Sequence, residues 1–214
     1  VPLLMPTSLP AVFLVDDDAS VRRALTRLIK SAGYAVQAFA TANELLDHWH
    51  DHDEVPGCLL LDVRLPGLSG LDLQRELSAA NALLPVIFIT GHGDIPMSVK
   101  AMKEGAVDFL PKPIKENELL RALEQALARA EREHGERLHI DDIKRRLENL
   151  TAREREVMTL VVRGLLNKQI AWELGTVEKT VKVHRARVME KMEVRSLAEL
   201  VRLAERVNLL AKVQ

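Results

Sequence analysis

Five short, mostly apolar runs recur along the first part of the chain: AVFLVD at 11–16, YAVQAF at 34–39, CLLLD at 58–62, PVIFIT at 85–90 and VDFL at 107–110. All five read as strands, the unalternated CLLLD and PVIFIT as strands buried on both faces. Between them the apolar spacing changes to that of helices. Ser20 to Gly33 places Val21, Leu25, Leu28 and Ile29 on one side, with Gly33 as the stop. Thr41-Ala-Asn-Glu44 is a capping box opening a helix through about Trp49. Further helices are predicted from about Gly70 to Ala80, from Ile95 to Glu104, and from about Lys115 to Glu131. The last carries an apolar stripe of Leu119, Leu120, Leu123, Ala126, Leu127 and Ala130. Strands alternating with helices in this way predict a doubly wound α/β domain with a five-stranded parallel sheet over residues 10–130.

The pattern changes after that. Residues 131–148 are charged, with Gly135 in their midst, and read as a linker that is helical in part. Leu138, Ile143, Leu147 and Leu150 suit one helical stripe, while His134 and His139 read as solvated. From 149 to 214 the chain reads as an all-α domain of short helices with explicit starts. Thr151-Ala-Arg-Glu154 is a capping box before Val157, Leu160 and Val161, with Gly164 as the stop. Asn167 is expected to cap Lys168–Leu174, Thr176 a helix reaching about Glu193, and Ser196 a helix over Leu197–Val207. Helix, short turn, helix is the helix-turn-helix arrangement. At about 100° per residue, Val177, Val181, Val188 and Met192 share the core side of the third helix. Lys179, Lys182, Val183 and Ala186 lie opposite, with Arg187 at the margin.

Composition sharpens this division. The net charge of −1 conceals 13 Lys+Arg against 8 Asp+Glu from Thr151 onward, and 17 against 23 before it. Only the C-terminal part is therefore suited to a polyanion. A narrow basic face with two small apolar residues fits a DNA major groove, where lysine reads guanine and methyl contacts read thymine. The single cysteine, Cys58, lies inside an apolar strand, so it reads as core and leaves no disulfide within the chain, which fits a reducing cytoplasm. No apolar run approaches about 18 residues, which argues against a membrane span. The first residues, VPLLMPTSLP, are proline-rich and lack a charged start, so they read as a tail.

Several strands of the α/β domain end on polar residues: Asp16 and Asp17, Asp62, Thr90, and Lys112 just past the last. In a parallel sheet these ends converge on one edge, where open α/β sheets bind ligands. Asp62 alone reads equally well as a cap for the next turn; the set does not. Three carboxylates held close need a cation, and an all-oxygen set suits Mg²⁺. Thr90 adds a hydroxyl and Lys112 an ammonium, a combination suited to phosphoryl oxygens. Asp62 is the natural acceptor, as an acyl phosphate.

Val15-Asp16-Asp17, Leu61-Asp62, Ile89-Thr90-Gly91 and Phe109-Leu110-Pro111-Lys112-Pro113 resemble the receiver domain of bacterial two-component response regulators. Leu150-Thr-Ala-Arg-Glu154, Gly164-Leu-Leu-Asn-Lys-Gln-Ile-Ala171 and Thr180-Val-Lys-Val-His184 resemble the LuxR/NarL-type DNA-binding domain. Together they resemble the FixJ/NarL group of transcription regulators, and the runs His92–Pro96 and Asn167–Ala171 resemble regulators of aromatic-hydrocarbon catabolism. The resemblance implies phosphorylation of Asp62 by a sensor histidine kinase, with Asp17, Asp62 and the backbone carbonyl of Arg64 on Mg²⁺ and Asp16 acting through water. It implies that Thr90 and Lys112 hold the phosphoryl oxygens, that Phe109 takes the place of the switching aromatic, and that Lys182, Val183 and Ala186 face bases. A homodimer on double-stranded promoter DNA, acting on RNA polymerase, follows from the same likeness. Two departures stand out: Asp18 is extra to the acidic pair and has no assigned role, and Phe109 lacks the hydroxyl of a tyrosine. An aspartyl-phosphate hydrolase of the haloacid dehalogenase type is a weaker alternative, since position 64 is Arg where that class wants an Asp. A sensor of a diffusible ligand is another, although it would need an apolar pocket in place of the acidic cluster.

Overall fold

The computed structural model describes residues 11–50, 56–80, 82–91 and 95–209, apart from the side chains of His50 and Ile95. The proline-rich N-terminal tail and the run His92-Gly-Asp94 lie outside the described residues. The chain divides into two units, Val1–His134 and Gly135–Gln214.

In the first unit five strands are described: β1 (Ala11–Val15), β2 (Ala35–Phe39), β3 (Gly57–Asp62), β4 (Val86–Thr90) and β5 (Asp108–Pro111). They form one parallel sheet in the order β2-β1-β3-β4-β5. The interleaved helices are α1 (Ala19–Ser31), α2 (Ala42–His50), α3 (Gly70–Ala79), α4 (Ile95–Lys103) and α5 (Glu116–Glu148). Because successive strand residues point to opposite faces, the central strands feed two separate cores. Phe13, Val15, Leu59, Leu61 and Phe88 pack with Leu45 of α2, Leu73 and Leu77 of α3 and Ala101 of α4. Val12, Leu14, Leu60, Ile87 and Ile89 pack with Leu25 and Ile29 of α1 and Leu119, Leu123 and Ala126 of α5. This is the predicted doubly wound arrangement, and the sheet's carboxyl edge remains open between the two helical layers. Cys58 lies in the second core, wholly buried, which pushes its thiol up to about 12.

The helix expected to end near Glu131 continues as α5 through Glu148. Gly135 does not break it: a glycine inside a helix costs only about 1 kcal/mol relative to alanine, and the flanking residues are strong helix formers. Ile143 and Leu150 are buried in the second unit and Leu147 packs against them. Leu138, expected on the same stripe, is 58% exposed.

The second unit continues with α6 (Ala152–Val162), α7 (Asn167–Glu173), α8 (Glu178–Lys191) and α9 (Leu197–Arg206). The Thr151/Glu154 capping box forms in both directions, and Ser196 caps α9 as expected. Two expected caps do not form. Leu166 precedes α7, its N–H donating to the Gln169 side chain, so Asn167 is the first helical residue. Val177, not Thr176, is the N-cap of α8, with extended backbone and no side-chain hydrogen bond. Val177 therefore lies outside the helix, beyond the reach of helical periodicity, and is 64% exposed instead of joining the core. Val181, Val188 and Met192 are buried as expected.

Candidate functional site

Register builds the site. Val15 pairs with Leu61, so Asp16 and Asp62 emerge side by side from adjacent strands. Asp62 pairs with Ile89 and Thr90 with Pro111, which brings Thr90 and Lys112 to the same edge. Asp16, Asp62 and Thr90 are all buried, whereas Asp17 is exposed at the rim.

Lys112 joins the cluster. Its Nζ donates to Asp16 Oδ2 at 2.7 Å and to Asp62 Oδ2 at 2.5 Å. Burial alone would lower the pKa of this ammonium, but the bonds to the two carboxylates outweigh it and hold the value above the ordinary lysine range. Burial dominates at Asp16, whose carboxyl is raised above the usual carboxylate range despite Lys112 and the Asp18 N–H, which donates to Oδ1 at 2.9 Å. Carboxylate oxygens of Asp16, Asp17 and Asp62 lie within 4.8 Å of one another, close enough to hold one metal ion, and an all-oxygen donor set fits Mg²⁺. The remaining Asp62 oxygen accepts from the Arg64 N–H at 3.0 Å. That bond folds the loop after β3 back over the strand end.

Three supports carry no obvious signal in the sequence. Arg22 Nη1 donates to the carbonyls of Asp16 (2.6 Å) and Asp17 (2.8 Å), fixing the backbone that presents both acids. Asp18 accepts from the N–H groups of Ser20 and Val21, so the third acid is the N-cap of α1. Its carboxyl is held below the usual range by these hydrogen bonds, the Ser20 hydroxyl foremost. The Asp-x-x-Val spacing ahead of an apolar stripe was the available cue. Gly70 opens α3 directly against the Asp62 carbonyl, where a Cβ would collide with backbone. Phe109 is half-buried, its ring 6.2 Å from that of Phe88.

In the second unit, Lys179, Lys182, Val183, Ala186 and Arg187 all stand exposed on α8. Lys182 pairs with Glu178 at 3.2 Å, an exposed ion pair that gives way easily to a stronger partner. The helix is held from behind. Arg185 donates to the Asn167 side chain at 3.1 Å, tying α8 to α7. Lys191 pairs with buried Glu154 at 2.6 Å and donates to the Asn149 carbonyl. Arg146 donates to the Met192 carbonyl and pairs with Asp142 and Glu193. The bond from Lys191 and the Thr151 N–H bring Glu154 down to about 2.

Comparison with known proteins agrees with both units. The response regulator receiver domain family matches residues 12–124, and the luxR family of bacterial regulatory proteins matches residues 148–204. Nodulation protein W of Bradyrhizobium diazoefficiens is 52% identical over 200 residues, covering 94% of this chain and 87% of that protein. The transcriptional regulatory protein FixJ of Azorhizobium caulinodans is 44% identical over 200 residues, covering 94% and 93%. The solved structure of the response regulator StyR is 50% identical with a TM-score of 0.81, covering 93% of this chain and all of that one. FixJ is a transcriptional regulatory protein and StyR a response regulator, and both matched families are regulatory, which argues against the hydrolase alternative. Among the described residues no helix is long and apolar enough to cross a membrane. The chain belongs to the response regulators, joining a receiver domain to a DNA-binding domain of the luxR family.

Proposed function

We propose that this chain is a transcription regulator switched by phosphorylation of Asp62. A sensor histidine kinase supplies the phosphoryl group: the bond from its phosphohistidine nitrogen to phosphorus breaks as an Asp62 oxygen bonds to phosphorus, leaving the imidazole free to regain a proton. Asp17, Asp62 and the Arg64 carbonyl, with Asp16 through water, would hold Mg²⁺, which would supply positive charge to offset the acids and the incoming phosphoryl oxygens. Thr90 and Lys112 hold those oxygens, Lys112 exchanging its bond to Asp62 for one to the phosphoryl group. The added −1.5 to −2 charges, roughly, draw both residues inward, and Phe109 and the surface from Ile95 to about Gln125 repack. Receivers of residues 10–130 then pair, residues 131–148 serve as the connector, and the DNA-binding domains of residues 149–214 engage half-sites about one helical turn apart. Lys182, Val183 and Ala186 face bases, with Lys179 and Arg187 beside them, and the bound dimer acts on RNA polymerase.

The observation that carries this reading is the double pairing of Lys112 with Asp16 and Asp62 beside Asp17. A structural ion pair needs one acid; this cluster holds three and leaves negative charge unbalanced. The test is intact mass after incubation with Mg²⁺ and acetyl phosphate, for wild type and Asp62→Asn. One phosphoryl group gained by wild type alone is the expected result. Equal labelling of both chains, or of neither, would sink the proposal.

A further inference from the structure

Residues 135–147 of α5 belong to the second unit, yet they lie ahead of residues 148–204, which match the luxR family. They are built into that unit all the same. Ile143 is buried in its core and Leu147 packs against it. The end of α5 is joined to the end of α8 by reciprocal caps. Arg146 of α5 donates from Nη1 to the Met192 carbonyl at 3.0 Å, at the C-terminal end of α8. Lys191 of α8 donates from Nζ to the Asn149 carbonyl at 3.1 Å, just past the C-terminal end of α5. Helix C-termini leave carbonyls without intrahelical partners and favour cations, so each helix supplies what the other's end lacks.

Two features of this joint work against stability. The Nε of Arg146 is buried without a partner, and an unpaired buried donor is costly. Glu193, the residue after the C-cap of α8, has left-handed backbone, φ +53°, in a turn closed by its N–H to Glu190 and the Val194 N–H to Met189. Glycine is the residue that this turn favours. Glutamate there brings a carboxylate 3.2 Å from Arg146 Nη2, while Asp142, one turn earlier on α5, holds the same nitrogen at 2.6 Å. A guanidinium held by one oxygen of its own helix and two from the end of α8 has a fixed orientation, and the joint thereby fixes the direction of α8. Lys182 lies roughly 15 Å from Met192 along that helix, so a tilt of about 10° at that end would shift it by roughly 3 Å, enough to break a hydrogen bond to a base. We propose that Arg146 is a positioning residue for DNA reading: by clamping the Met192 carbonyl and the Glu193 carboxylate to α5, it sets the aim of α8 in the major groove. The proposal rests on the reading of α8 as the helix that contacts bases, and it starts the DNA-reading unit inside α5.

The test uses the full chain treated with Mg²⁺ and acetyl phosphate, a genomic DNA fragment selected for binding to the wild type, and an unrelated duplex of the same length. Gel-shift titrations on both DNAs compare wild type, Arg146→Ala and the double variant Arg146→Ala/Glu193→Gly, each below its measured melting midpoint. Glycine relieves the left-handed turn, so the double variant should melt above Arg146→Ala. Both variants should bind the selected fragment about tenfold more weakly, the worth of roughly one base contact. Both should bind the unrelated duplex within about twofold of wild type, because phosphate contacts carry no sequence information and tolerate a tilt that base contacts do not. Unchanged affinity of Arg146→Ala for the selected fragment overturns the proposal. So does an equal loss on both DNAs, and so does an affinity that returns with the melting temperature in the double variant, since either would make Arg146 a residue of stability alone. A wild type that binds both DNAs equally instead overturns the reading of α8 as a base-contacting helix, and the role of Arg146 with it.

Discussion

Lys112 holds two carboxylates at once, which gives its removal a distinctive signature. Lys112→Ala leaves buried Asp16 facing Asp62 with no cation between them. The expected loss is roughly 2–3 kcal/mol in a metal-free buffer. Added Mg²⁺ should recover much of it, so the melting temperature of the variant should rise with Mg²⁺ more than that of wild type. An equal rise in both would mean that Lys112 and the ion do not share this charge. Gly70→Ala should disturb the same pocket by another route, because the new methyl meets the Asp62 carbonyl. A cost of about 1–3 kcal/mol is expected from such overpacking, with slower labelling by acetyl phosphate. At this scale much of the site was legible from the sequence, since Asp16, Asp17, Asp62, Thr90 and Lys112 are each the polar end of an apolar run. Asp18 was not, because a helix N-cap and a metal-site acid are the same residue type, and only the direction of its carboxyl separates them. Gly70 and Arg22 were hidden for a related reason: both act on backbone atoms, and sequence patterns record side chains.

Helix ends and helix-to-helix ties dominate the next scale. Asp18→Ala removes the acceptor for two N–H groups at the start of α1 and should cost about 1 kcal/mol of stability. Asp18→Asn should recover most of it; a thermal melt of the three chains is the check. Glu154 links α6 to α8 through Lys191, and its pH dependence has a definite sign. Its carboxyl titrates at about 2 in the folded chain against 4.5 ordinarily. The stabilisation is therefore fully present above pH 4.5 and is lost as pH falls towards 2. It amounts to about 2 kcal/mol once the partial exposure of Lys191 is allowed for. Glu154→Gln should flatten stability across that window, as measured by helical circular dichroism during acid titration. Apolar spacing and the Thr151 and Ser196 boxes located α6 to α9, but not the continuation of α5 into this unit. The caps at Asn167 and Thr176 were misread because cap preference is a weak local bias. Asn167 is instead taken up by Arg185 of a neighbouring helix, a contact no local rule contains.

At the scale of the molecule, the charge division between the units sets what binds where. Neutralising DNA phosphates makes affinity fall steeply with salt, by on the order of 10³-fold between about 50 and 200 mM for a protein making six or more phosphate contacts. The activated regulator on its DNA should follow that slope. Lys182→Ala should cost about 1–3 kcal/mol and relax sequence preference at one position, which a competition series of single-base variants measures. A uniform loss across sequences would instead make Lys182 a phosphate contact.

Cys58 is the second residue of β3, with no exposed surface and a thiol that burial pushes up to about 12. As the only cysteine in the chain, it is a clock built into one half of the protein. An alkylating reagent can reach it only when the sheet itself opens, so its labelling rate times the opening of the first unit without reference to the second. A cysteine introduced anywhere on the surface could be tagged in seconds while Cys58 stays silent.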